Sequence, residues 1–443
     1  MMPRLAFPGM RARKDADDVI LPALTAARLR HGDRERAIRD AVADVLAEGA
    51  VRIGFQPVVD LDSRAVVGWE ALARGPQGTP LERPDRLFAA ARAAGRLDEL
   101  DWLCQRLALQ AGLRAGLHGG QVLFLNVEPG ASGFMPLELR TLYAQATAQM
   151  TVAIEVTERA LTERPAALLG HVADMRKLGC AVALDDVGAE AASLAMLPVL
   201  APDVIKLDLH VLLAADEHLF GEVAGTVSAH AERPGVTLLV ERVEDDEEAS
   251  MARAVGARLV QGWLYGRRGD LSTPVPAPGE LVVRATAHAD PRDRSPFALL
   301  TGDGAAPRVG SAALIRALAG RLVDLAERAG GHAMLLGSFG AGPGFGAGEA
   351  DRWSRVAATL ALCGAVGPGL GSEPARGVRG RSLPASDPAA REWAVAVVAP
   401  HFAAALSAHD LGEGEPPERR YAFVLTHDRE MAVGCAASLM ARL

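Results

Sequence analysis

Apolar positions along the chain fall into two rhythms. Continuous apolar runs rich in Val, Leu and Ile recur at RIGFQPVV (52–59), AVVGWEAL (65–72), QVLFLN (121–126), TVAIEV (151–156), AVALDD (181–186), DVIKLD (203–208), VTLLVE (236–241) and RLVQG (258–262). Segments with apolar residues at helical spacing stand before and between them, at 34–50, 85–95, 165–179 and 244–256. Runs apolar on both faces, alternating with helices, predict a largely parallel sheet with both faces covered. Eight of them predict a (β/α)8 barrel of the α/β class. The first two are joined only by DLDSR, a hairpin-length link, so one strand is expected to run antiparallel.

After Gly269 the pattern changes. Residues 272–296 are rich in Pro and polar side chains and read as a linker, with one strand candidate in LVVRA (281–285). A second, smaller α/β domain is expected beyond it. Helices are predicted around 311–329, 350–363 and 401–409, and strands at 333–339, 392–399 and 421–426. The organisation expected is a tail (1–34), a barrel (35–270), a linker (271–295) and a second domain (296–443).

Composition narrows the setting. A chain of 443 residues favours two domains over one. The net charge of −8 weighs against non-specific binding to DNA or to an anionic membrane. No run of about 18 apolar residues occurs, so no membrane span is expected. The four cysteines lie far apart and form no CxxC, which points to a reduced, cytoplasmic protein without a zinc site. GSFGAGPGFGAG (337–348) lacks the Gly-Lys-Ser/Thr ending of a phosphate loop and reads as a flexible loop.

Candidate chemistry collects at the ends of the barrel runs. Glu70, Asn126, Glu155, Asp185 with Asp186, Lys206 with Asp208, Glu241 and Gln261 all stand at or near them. In a (β/α)8 barrel the strand C-termini and the loops that follow form the active site. A lone Glu70 would be explained by a strand end reaching solvent; seven strands with polar ends would not. Carboxylates plus an amide carbonyl form an all-oxygen donor set suited to a hard cation, Mg²⁺ or Mn²⁺, and numerous enough for two ions. Two-metal sites commonly serve phosphoester hydrolysis. Lys206 is the lone cation among these acids, placed either to hold a water or phosphate oxygen or to pair with Asp208, Asp185 or Glu241.

The motifs GWEALARG, FLNVEP, IEVTE, ALDDVG, VIKLD, LVERVE and VQGWLYGR, in this order, resemble the EAL family of cyclic-di-GMP phosphodiesterases across about 35–270. The resemblance implies hydrolysis of cyclic-di-GMP to linear pGpG with a two-metal Mg²⁺ or Mn²⁺ site. It implies Glu70, Asn126, Glu155, Asp185 and Asp186 as metal ligands, and Lys206, Glu241 and Glu70 as catalytic residues. Gln56, Arg74, Asp208 and Gln261 match substrate-contacting or further active-site positions, and Glu158 a residue bracing the loop after Asp186. A homodimer through the barrel is also implied. Two departures stand out. The family's DDFGTGYSSL reads DDVGAEAASL here, at 185–194, and Arg242 replaces a glycine, pointing either into the site or outward. They leave open a catalytically degenerate cyclic-di-GMP receptor or an interaction scaffold. EWAVAVVAPHFAAALSAHD and RRYAFVLTHD faintly resemble the DICT sensory domain, implying a regulatory domain for an unknown ligand or partner.

Overall fold

The structure is a computed structural model. It describes residues 36–128, 135–157, 163–187, 191–214, 217–233, 235–271, 279–281, 283, 289–302, 306–340, 344–414 and 418–443. The chain divides into two compact units, one of residues 1–52 with 73–104 and one of residues 53–72 with 105–443. The first holds a helix at 36–48, close to the expected 34–50, and helix Pro84–Ala93, which opens on a proline whose missing N–H costs nothing there. Within it Arg52 Nη2 meets Glu82 Oε1 at 3.1 Å.

Eight strands close the barrel in sequence order: β1 (Arg52–Asp60), β2 (Val66–Arg74), β3 (Val122–Asn126), β4 (Thr151–Thr157), β5 (Ala181–Val187), β6 (Val204–Asp208), β7 (Thr237–Glu241) and β8 (Leu259–Val260). All eight fall where the apolar runs predict, although the last is only two residues long. The antiparallel strand is β1, which pairs with β8 through Val59–Val260 and Asp60–Leu259. The turn after β1 is held by Asp60, whose Oδ1 accepts from Ser63 N at 2.9 Å and Ser63 Oγ at 2.8 Å.

The period of two along a strand explains how the barrel positions its chemistry. Phe124, Ala153, Ala183, Val204, Leu239 and Leu259 are buried together in the barrel interior. Two residues further along each strand stand Asn126, Glu155, Asp185, Lys206, Glu241 and Gln261. The same inward parity therefore packs the middle of the barrel and puts polar groups at its C-terminal mouth. Leu281 and Val283, from the stretch read as a linker, belong to the same buried cluster. Leu281 N donates to Gly120 O at 2.6 Å, so this piece of chain is fastened to the barrel. Neither residue lies in a strand; the rest of the LVVRA candidate falls outside the described residues.

A second sheet of seven strands follows: β9 (Arg308–Ser311), β10 (Met334–Phe339), β11 (Leu362–Gly367), β12 (Arg379–Ser382), β13 (Glu392–Ala399), β14 (Phe402–Asp410) and β15 (Arg420–Thr426), in the order β12-β11-β10-β13-β14-β15-β9. Helix Ala312–Ala329 covers one face, over a core that includes Trp353, Trp393, Tyr421 and Phe423. Two expectations fail here. The segment 401–409, read as a helix from its alanines, is strand β14, paired on one side with β13 and on the other with β15. Tertiary pairing overrides local propensity. Ala404, Leu406 and Ala408 join the core, and small side chains on this strand let the C-terminal helix Arg429–Met440 pack close. The helix expected over 350–363 is Ala347–Ala357, and Leu362 and Cys363 already belong to β11.

All four cysteines are free and buried. Among the described residues no helix is long and apolar enough to cross a membrane.

Candidate active site

At the C-terminal mouth of the barrel a single ammonium sits in a nest of carboxylates. Lys206 Nζ is 2.6 Å from Glu155 Oε1, 2.8 Å from Glu241 Oε1, 3.0 Å from Asp185 Oδ1 and 3.8 Å from Glu70 Oε2. Its side chain is 1% exposed. Of the pairings open to Lys206 from sequence, those with Asp185 and Glu241 form; Asp208 is turned elsewhere.

Strand register accounts for the convergence. Asn126 lies opposite Glu155, and Asp208 opposite Glu241. Asn126 Nδ2 donates to Glu155 Oε2 at 2.8 Å and to Glu70 Oε1 at 3.2 Å. Gln261 Nε2 donates to Glu70 Oε2 at 2.7 Å. Glu70 is thus held by two amides, one at the end of the neighbouring β3 and one just after β8. Asn126 was expected to offer its carbonyl, but its amide nitrogen faces the acids here. An amide that turns over satisfies either partner.

The adjacent aspartates need a special device, because consecutive residues on a regular strand point to opposite faces. Between Leu184 and Val187 strand β5 carries one residue more than β6, and Asp186 takes the left-handed conformation at φ +58°. Such a bulge re-aims a side chain. As a result Asp185, Asp186 and Glu241 each offer a carboxylate oxygen, all within 4.8 Å of one another.

Asp208 holds a different post. Its Oδ1 accepts from His210 N at 2.9 Å and Val211 N at 3.2 Å, capping the helix that begins at Leu209. Its Oδ2 is 3.1 Å from Arg242 Nε. This fixes the orientation that the sequence leaves open for Arg242, whose φ of +60° explains why a glycine suits the position. Gly262, after Gln261, is forced by packing: a Cβ there would lie 1.9 Å from Val243 O.

The electrostatics are those of a site short of positive charge. Glu155 is pushed well above the ordinary carboxylate range by burial and by Glu70, against the pull of Lys206. Glu241 is raised to about 8, burial outweighing Lys206. Asp186 is raised by burial and by Asp185. Lys206 is held above its usual range because the surrounding acids overcome the cost of its burial. A group of carboxylates that cannot all ionise around one lysine is the donor set that a divalent cation completes.

Not every candidate joins the cluster. Gln56 Nε2 donates to Gly266 O at 3.3 Å. Arg74 ends β2 in the other compact unit, where Nη1 donates to Ala73 O at 2.7 Å. Glu158 and residues 188–190 of the altered loop lie outside the described residues.

Comparison with known proteins places the chain in a family. The EAL domain family model matches residues 35–268. The cyclic di-GMP phosphodiesterase RocR of Pseudomonas aeruginosa is 30% identical over 281 residues, covering 59% of this chain and 70% of RocR. NbdA of the same organism, also named a cyclic di-GMP phosphodiesterase, is 28% identical over 243 residues, 53% of this chain and 31% of its own length. An uncharacterized protein of Azorhizobium caulinodans is 28% identical, and the chain spans only 38% of it. Among solved structures, a manganese and cy-diGMP complex of Klebsiella pneumoniae BlrP1 is 28% identical at a TM-score of 0.43, over 50% of this chain and 57% of that one. With the family match running through more than half of its length, the chain belongs to the EAL domain family.

Proposed function

We propose that the protein hydrolyses cyclic-di-GMP to linear pGpG in a divalent-metal-dependent reaction, with residues 35–270 as the catalytic domain. The observation that carries this reading is the carboxylate nest of Glu70, Glu155, Asp185 and Glu241 around Lys206, with Asp186 close to Asp185 and Glu241. Glu70, Asn126, Glu155, Asp185 and Asp186 would hold Mg²⁺ or Mn²⁺. The bound ions would acidify a water and polarise the scissile phosphate. Lys206, kept protonated by its neighbours, orients the attacking oxygen or a phosphate oxygen through its N–H bonds. Glu241 positions Lys206 from 2.8 Å. Attack by water forms one P–O bond and breaks the bond to the ribose 3′ oxygen, which leaves as a hydroxyl. Gln261 keeps Glu70 in place, and Gln56 and Arg74 are assigned to the substrate by their motif positions.

We assign residues 296–443 a regulatory role of the DICT kind, on the stretches that form β13, β14 and β15. A receptor without turnover is the second reading, favoured by Arg242 seated on Asp208. One experiment separates them: the purified chain is incubated with cyclic-di-GMP and Mg²⁺, Mn²⁺ or EDTA, beside Glu70→Ala, and products are resolved by chromatography. Metal-dependent pGpG, lost in the variant, is expected. Tight binding without product selects the receptor; neither binding nor product overturns both.

A further inference from the structure

Away from the barrel mouth lies a cavity of about 740 Å³, within the size range of small-molecule sites. Its walls come from helices Pro165–Lys177 and Ala191–Leu200 of the barrel and from the C-terminal helix Arg429–Met440. Its composition is lopsided. One part is aliphatic, lined by Leu169, Val172, Pro198, Val199 and Val433. Apart from His230, no aromatic ring lines it among the described residues.

The other part is cationic. Arg176, Arg233 and Arg429 face it, with Glu430 the one carboxylate among the described lining residues. Arg176 Nη2 donates to Leu200 O at 3.1 Å and to Ala201 O at 2.6 Å, and Arg429 Nη1 donates to Ala399 O at 3.1 Å. Those acceptors are neutral carbonyls. The buried Nε atoms of Arg176 and Arg429 have no hydrogen-bond partner among the described residues. A smaller cavity beside it shares His230, Arg233 and Arg429 and adds His401. His230 reports the local field: burial, then Arg233 and Arg429, push it down to about 4. Guanidinium groups with donors to spare, beside an aliphatic trough, fit a ligand with an anionic head and an alkyl body. A nucleotide base would want a stacking ring that this lining lacks.

We propose that this cavity binds an anionic amphiphile, an alkyl chain ending in phosphate or carboxylate, with the head at Arg233 and Arg429 and the chain along Val172, Val199 and Val433. Helix Ala191–Leu200, which supplies Pro198 and Val199, is the helix that follows β5 with its Asp185 and Asp186.

The test is calorimetric titration of the full chain with four probes below their micellar concentrations: dodecyl phosphate, dodecanoate, dodecyltrimethylammonium and inorganic phosphate. One-site binding of dodecyl phosphate or dodecanoate is expected, at least tenfold tighter than either control. The better of the two names the head group. Arg233→Glu, at an exposed position, should weaken binding at least tenfold, and Val433→Trp should abolish it while leaving the circular dichroism spectrum unchanged. The proposal is overturned if the cationic amphiphile binds as tightly, if inorganic phosphate alone binds as well, if Arg233→Glu has no effect, or if no probe binds. None of these readouts requires phosphodiesterase activity.

Discussion

Lys206→Met removes the one ammonium among the described residues of this pocket, where three carboxylate oxygens lie within 3.0 Å of it. At an effective dielectric of about 20, each pair at about 2.8 Å attracts by roughly 6 kcal/mol before desolvation is counted. Most of that is offset by the cost of burying the ions. What remains on deleting one partner of a buried pair is about 3–5 kcal/mol, because the other charges are left uncompensated. In EDTA this should lower the thermal transition of the barrel by roughly 6–20 °C, at about 2–4 °C per kcal/mol for a unit of this size. Glu155→Gln alone should cost far less, since it relieves an excess of acid. In the Lys206→Met background it should recover about 2 kcal/mol, so the double variant lies well short of the sum. Melting curves of the four proteins in EDTA complete the cycle. If Lys206→Met melts within about 2 °C of the parent, or if the effects add, the nest is not a tightly coupled ion cluster.

Three further outcomes follow from the geometry. Leu281→Ala should cost about 2–5 kcal/mol of barrel stability in urea unfolding, as for a core leucine, whereas a free linker would register nothing. Gly262→Ala forces a Cβ against Val243 O; it should destabilise by about 1–3 kcal/mol and, by displacing Gln261, lower kcat more than it raises KM. His230 stays neutral down to about pH 4, while in the unfolded chain it takes a proton near 6.5. Its contribution is therefore complete above pH 6.5 and lost as the pH falls to 4, a change of about 3 kcal/mol. Urea midpoints between pH 7 and pH 4 should fall less steeply in His230→Gln; an equal slope would contradict the assignment.

Much of the barrel could be read from the chain because its signals are local. A strand covered on both faces needs a continuous apolar run, and DLDSR is too short for a crossover, so strand number and the presence of one antiparallel strand follow from sequence alone; that the strand is β1 needed the pairing with β8. The polar residues at or near the ends of seven of the eight runs mark the barrel mouth for the same reason: parity carries an inward side chain up from a packed core. Less could be read in the second domain. HFAAALSAHD has the residues of a helix and becomes β14 because β13 and β15 lie on either side of it, and no local preference records those neighbours.

Within the site, the sequence determined which atoms are present: carboxylates, one ammonium and two amides on successive strands. Tertiary structure decided how they are shared. Nothing in ALDDVG announces the bulge that turns Asp186 toward Asp185 and Glu241. LVERVE does not say that Arg242 rests on Asp208, nor does LVVRA reveal that Leu281 and Val283 belong to the barrel core. Each of these depends on partners far away in the chain, and burial energies are settled only where those partners meet.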